Sequence, residues 1–167
     1  MRIGLLSDTH SFLDQNLLSH FADCDEIWHA GDVGHVSLIE ELRKTHTVRG
    51  VFGNIDGQEV RSIFPEELRF DCQGLDVYMI HVGGYPGRYN AKVRHVMNTA
   101  PPKLYICGHS HILKVIYDDK YKCLHMNPGA CGHHGFHQIR TVLKFDIEGG
   151  KPCRAQVIEL GLRGRNH

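Results

Sequence analysis

The chain has 167 residues, 41% apolar and 23% charged, which is enough for one domain with a single sizeable core. Lys plus Arg equals Asp plus Glu at 19 each, so the net charge is zero with His neutral, and a broad surface for duplex nucleic acid is disfavoured. No apolar run approaches the roughly 20 residues that a bilayer span needs, whereas 14 His and 18 Gly stand out as candidates for metal spacing and tight turns.

Residues 2–7 form a short apolar run that reads as a buried strand, ending at Asp8-Thr9-His10. In extended backbone Asp8 and His10 alternate with Thr9 and point to the same side. Residues 14–22 carry Leu17, Leu18 and Phe21 at helical spacing, with Asp14 placed to cap. A second strand over 26–30 stops at Gly31-Asp32. A helix from Val36 to Lys44 follows, with Leu38, Ile39 and Leu42 on one face, and a third strand over 47–52 ends at Gly53-Asn54. This βαβαβ order implies a largely parallel first sheet with right-handed crossovers.

The second half is richer in strands. Runs at 67–71 and 75–82 flank a turn at Cys72-Gln73-Gly74, and Tyr89 to Asn98 reads as a helix stopped before Pro101-Pro102. A buried strand over 103–107 precedes Gly108. Strand-like runs at 112–117, 121–126, 138–146 and 153–160 follow, with Asp118-Asp119 and Gly149-Gly150 turning the chain into antiparallel hairpins. Two stacked sheets with helices outside would bury both sets of apolar faces. The six Cys form no CxxC and no signal peptide is evident, which suggests reduced thiols in a cytoplasmic protein. Residues 163–167 read as a frayed end.

Five segments line up at strand ends: Asp8-Thr9-His10, Gly31-Asp32, Gly53-Asn54, His81 and Gly108-His109-Ser110-His111. In open sheets with parallel strands, functional groups collect beyond the carboxyl ends, so all five emerge on one rim. The set holds two carboxylates, one amide oxygen and four imidazoles, more than one ion needs and suited to two ions that share a carboxylate. Gly31, Gly53 and Gly108 each precede a proposed ligand and let the backbone turn without a Cβ in the way.

The ordered combination, followed by Asn127-Pro128-Gly129, resembles the calcineurin-like metallophosphoesterases, in particular the small bacterial and archaeal phosphodiesterase branch. The resemblance spans nearly the whole chain. It implies a single domain over residues 1–167, a four-layer α-β-β-α sandwich of two mixed sheets flanked by helices. It assigns Asp8, His10, Asp32 and His111 to one ion and Asp32, Asn54, His81 and His109 to the other, with Asp32 bridging. Asp32, Asn54 and His109 are the expected catalytic residues. Two divalent ions are implied, Mn²⁺ first, with Fe, Ni²⁺ or Zn²⁺ also suited to a mixed O/N set.

The implied reaction is hydrolysis of a small phosphodiester by an ion-activated water, whose pKa falls to about 7 beside such ions. A phosphomonoesterase or nuclease on the same site, and a protein-binding scaffold of the same fold, are the alternatives. A homo-oligomer is compatible with the family. Two departures bear on the branch. Ile55 stands where many relatives have a His that helps the leaving group, which points to the phosphodiesterase branch and leaves the general acid unassigned. His81-Val82-Gly83 replaces a His-Gly-His pattern.

The other His have blander readings. His29 reads as a packed strand residue and His35 as part of a helix start. His133, His134 and His137 lie in a Gly-rich loop that can line the site. His20, His46, His95, His125 and His167 read as ordinary. Arg88 and Arg94 read as a solvated helix face, and Cys131 as a small buried residue.

Overall fold

The computed structural model describes residues 1–14 and 16–164. Gln15, within the expected helix 14–22, and residues 165–167 of the expected frayed end lie outside the described residues. In chain order the elements are β1 (Arg2–Leu6), α1 (Leu17–His20), β2 (Glu26–His29), α2 (Val36–Arg43), β3 (Thr47–Gly50), α3 (Gln58–Ile63) and β4 (Glu67–Cys72). Then follow β5 (Leu75–Ile80), α4 (Ala91–Thr99), β6 (Leu104–Ile106), β7 (Leu113–Asp118), β8 (Cys123–Pro128), β9 (Ile139–Glu148) and β10 (Lys151–Leu162).

Strand alternation sets the layers. In β1, Ile3 and Leu5 enter one apolar cluster while Leu6 enters another. In β5, Leu75, Val77 and Met79 share the cluster of Ile3 and Leu5, and Tyr78 and Ile80 face a third. The first cluster therefore lies between the sheets. The second joins Leu6 and Ile27 to Leu17, Leu38, Ile39, Leu42 and Val60 of α1 to α3, and the third joins Tyr78 and Tyr105 to Val93 and Met97 of α4. Three apolar clusters between four layers of secondary structure make the expected α-β-β-α sandwich.

Both sheets are mixed. The first runs β10-β9-β1-β2-β3, with β1, β2 and β3 parallel and β9 antiparallel to β1. The second runs β4-β5-β6-β8-β7, with a parallel centre and antiparallel edges. Trp28 fills the space between sheets, edge-on to Phe70 and Phe145 at 5.0 and 5.7 Å. Its indole N–H donates to Glu26 at 2.8 Å, and Arg49 clamps the same carboxylate at 2.7 and 3.0 Å. The only tryptophan is thus buried with its polar edge satisfied.

Several elements differ from the sequence expectation. The helix expected over 14–22 is a single turn, because the Asp14 carboxylate does not cap it. Asp14 pairs with Arg140 at 2.6 Å and accepts from the Asn16 amide at 2.8 Å. α4 begins at Ala91 with Asn90 as cap, accepting from the Val93 amide, so Tyr89 lies outside it. The strands over 26–30 and 47–52 stop at His29 and Gly50, where the chain turns into the ligand loops. α3 was not expected. It starts at Gly57 without a side-chain cap and buries only Val60, so no periodic signal marks it.

Candidate metal centre

Asp8, Asp32 and Asn54 follow β1, β2 and β3, His81 follows β5, and His109 and His111 follow β6. They gather at one rim because these strands run in parallel sets. The backbone there is not extended, which corrects the alternation argument for Asp8 and His10. Their φ values are +56° and +47°, and Asp32, His109 and His111 are at +54°, +67° and +57°. Asp and His enter this left-handed region more readily than most residues, yet each such residue costs about 1–3 kcal/mol.

Inter-loop hydrogen bonds hold the strained segments. The Asp8 and His10 amides donate to Gly31 and Asp32 carbonyls at 2.9 and 3.0 Å, and the Gly132 amide donates to Asp8 at 3.1 Å. The side chains then converge in two groups whose potential ligand atoms lie within 4.8 Å of one another: Asp8, His10 and His111, and Asp32, His81 and His109. Asp32 faces both. Its Oδ2 is 3.7 Å from His10 Nε2 and its Oδ1 is 3.2 Å from His81 Nε2. Asp8 Oδ1 is 3.0 Å from His111 Nε2 and 3.9 Å from His81 Nε2. Asn54, the remaining member of the expected set, is exposed and lines a hollow with Gly53, His81 and Val82.

The donor atoms fit divalent ions. Asp8 Oδ1, His10 Nε2 and His81 Nε2 are buried without hydrogen-bond partners, a costly state unless something else satisfies them. Surrounding groups aim them. His81 Nδ1 donates to the Ala30 carbonyl at 2.7 Å, which presents Nε2 to the site. Asp8 Oδ2 accepts from the His109 amide at 3.1 Å, leaving Oδ1 free to face the His rings. Burial alone would lower the His81 pKa, but the adjoining Asp32 carboxylate and the Asp8 charge outweigh it and hold it above the ordinary value. Burial likewise pushes Asp32 up, and His81, the Ile55 amide and His10 more than offset this. For His10 burial wins and the imidazole is held below its usual value. The Asp32–His81 side of the site favours positive charge.

The three glycines have the expected role. A Cβ on Gly53 would sit 2.0 Å from Asp32 Oδ1, one on Gly108 2.0 Å from Ser7 Oγ, and one on Gly31, at φ +98°, 2.5 Å from His81 Nδ1.

Two supporting residues were missed in the sequence. Asp56 is buried and accepts from the amides of Val33, Gly34 and Gly53 at 3.1, 2.7 and 2.7 Å, so it ties the Asp32 loop to the Asn54 loop. A carboxylate two residues beyond the strand-end Asn was the available signal, since Asp readily binds nearby amides in turns. His29 is fully buried, as expected of a packed residue, but it also works. The Gly31 amide donates to Nδ1 at 3.1 Å, Nε2–H donates to Thr9 Oγ1 at 2.9 Å, and Thr9 donates to the Val33 carbonyl at 2.9 Å. One imidazole thus spans both ligand loops.

Asn127 holds the fifth segment, donating to the Gly108 carbonyl and Ser110 Oγ at 2.9 and 3.1 Å. The Gly-rich loop does approach. His134 lies 4.7 Å from His10 and His137 5.2 Å from His111, ring centre to ring centre, while His133 packs on Phe12. His35 caps α2, accepting from the Ser37 amide. Arg94 donates to the Tyr89 carbonyl and lines a different hollow.

Among known proteins, residues 1–150 match the calcineurin-like phosphoesterase superfamily domain. A probable metallophosphoesterase of Methanothermobacter thermautotrophicus is 30% identical over 119 residues, 66% of this chain and 67% of that protein. Another, from Methanocaldococcus jannaschii, is 28% identical over 159 residues, 89% of this chain and 77% of that protein. In fold the chain is similar to Vps29 of Entamoeba histolytica complexed with zinc, with a TM-score of 0.73 at 14% identity, covering 95% of this chain and 99% of that one. No described helix is long and apolar enough to cross a membrane. With its strand-end Asp and His groups on this sandwich, the chain belongs to the calcineurin-like phosphoesterase superfamily.

Proposed function

We propose that the protein is a two-ion phosphodiesterase that hydrolyses a small phosphodiester. The observation that carries this reading is the convergence of Asp8 Oδ1, His10 Nε2 and His81 Nε2, buried and without partners, beside an Asp32 carboxylate that faces both donor groups. Asp8, His10, Asp32 and His111 would hold one ion, and Asp32, Asn54, His81 and His109 the other. Bound divalent ions supply Lewis acidity toward phosphoryl oxygens and activate water. Asn54 and His109 are the exposed members of the set, so they are the ones a substrate meets. His29 and Asp56 keep the ligand loops in register with each other.

Preference for diesters rests on Ile55. It is 47% exposed beside Asn54 and stands where many relatives carry a His that the small phosphodiesterase branch often lacks. Because it offers no proton, esters with stable leaving groups are favoured. The mixed O/N set suits Mn²⁺ or Fe first, with Ni²⁺ and Zn²⁺ as alternatives. Protein loaded with Mn²⁺ should hydrolyse bis(p-nitrophenyl) phosphate faster than p-nitrophenyl phosphate. The reading fails if none of Mn²⁺, Fe²⁺, Ni²⁺ or Zn²⁺ supports turnover. A faster monoester reaction would point to a phosphomonoesterase instead.

A further inference from the structure

A hollow opens beside His109. We propose that it is the subsite for the organic group of the phosphoester, and that it takes a planar aromatic ring with an electron-rich or anionic edge. The inference rests on the phosphoesterase reading for its link to phosphorus. It rests on its own geometry for the ring.

The hollow borders His109 and Ser110, so a group bonded to a phosphorus at the donor groups enters it directly. Its volume is about 130 Å³. A cavity of roughly 150 Å³ lined by apolar side chains accepts benzene, so the hollow is of the size of one aromatic ring. Val82 and Ile112 lie on its walls and are 41% and 60% exposed, so they offer apolar surface that a ring in the hollow would cover. Gly83, Gly84 and Gly108 supply wall segments without side chains, leaving space for a flat slab.

Two polar groups set the character of the guest. His125 lines the hollow and is 1% exposed, and its Nδ1 has no hydrogen-bond partner. The ring stacks on Tyr105 at 4.9 Å, and its buried nitrogen is left for a polar edge of the guest to satisfy. Lys114 also lines it, with Nζ 3.5 Å from the centre of the Tyr85 ring and no ion pair among the described residues. A cation with an aromatic partner and no carboxylate suits an acceptor or an anion on the guest. The hollow on the other side of Val82 has the opposite character, because Glu66 lines it. An electron-rich ring is therefore directed toward Lys114 and away from Glu66.

The test uses direct binding of non-hydrolysable phosphonates to the full, Mn²⁺-loaded chain, measured by calorimetry. Phenylphosphonate should bind about tenfold or more tightly than methylphosphonate, from burial of the ring. 4-Carboxyphenylphosphonate should gain roughly threefold more. Ile112→Trp, at an exposed position that tolerates bulk, should fill the hollow and bring phenyl and methyl ligands within about twofold of each other. Lys114→Met should erase only the gain from the carboxylate. Equal binding of phenyl- and methylphosphonate to the unaltered chain overturns the proposal, as does an unchanged ratio in Ile112→Trp. The readout needs no turnover. A protein that prefers the phenyl ligand but hydrolyses nothing refutes the catalytic reading alone, and one that hydrolyses aryl diesters without the preference refutes the subsite alone.

Discussion

His29 shows how much a residue outside the donor set can decide. Its neutral ring accepts from Gly31 and donates to Thr9, and burial holds its pKa down at about 4. Protonation would put a hydrogen on Nδ1, the ring nitrogen that accepts from Gly31. The unfolded chain takes that proton near pH 6.5 and the folded chain resists it until about 4, so stability falls as pH drops across this window. The loss from this one group is roughly 3 kcal/mol. Urea unfolding of the ion-free protein at pH 7.5 and 4.5 should show a smaller pH difference for His29→Gln than for the unaltered chain. With ions present, the same substitution should weaken metal affinity about 10–100-fold, the usual cost of losing such support, read by competition with a chelating dye. At Gly53 the constraint is steric. Gly53→Ala would drive a methyl group to 2.0 Å from Asp32 Oδ1 and 2.3 Å from its amide nitrogen, so the folded variant should bind fewer ions per chain by elemental analysis.

Elements carry the packing that aims these residues. Gly4 in β1 lets the Phe21 ring approach, since a Cβ there would lie 2.7 Å from it, and Trp28 in β2 joins the two sheets. Trp28→Ala should cost about 3–5 kcal/mol and lower the melting temperature by about 10 °C, as calorimetry would record. Much of this was legible in the sequence. Apolar runs of strand length ended at Gly-Asp, Gly-Asn or Gly-His, and the βα half followed by a β-rich half pointed to two stacked sheets with helices outside. What was not legible depends on distant partners. Arg140 takes the Asp14 carboxylate across the fold, so α1 lost its expected cap. α3 buries Val60 alone and leaves no period to read. His125 looked ordinary because only the fold brings its strand beside Gly108. The left-handed backbone at Asp8 and His10 arises from hydrogen bonds to residues 31–32 and 132, which local spacing does not encode.

The two sheets share one apolar layer, with Ile3, Leu5 and Trp28 against Val77, Met79 and Ile106. We expect them to unfold as one cooperative unit. Ions that bind only the folded chain should raise its stability by about 2.7 kcal/mol at 100 times their dissociation constant, a shift of roughly 5–10 °C for a chain of this size. A thermal scan with and without Mn²⁺ checks this, and Asp32→Ala should abolish most of the shift because that carboxylate faces both donor groups. The most direct test of the two-ion account is elemental analysis of the purified chain beside Asp32→Ala, each assayed on bis(p-nitrophenyl) phosphate. The account predicts about two divalent ions per active chain and loss of both ions and turnover in the variant. A chain that binds no ion under any of the four metals, or a variant that keeps both ions and its activity, would contradict it.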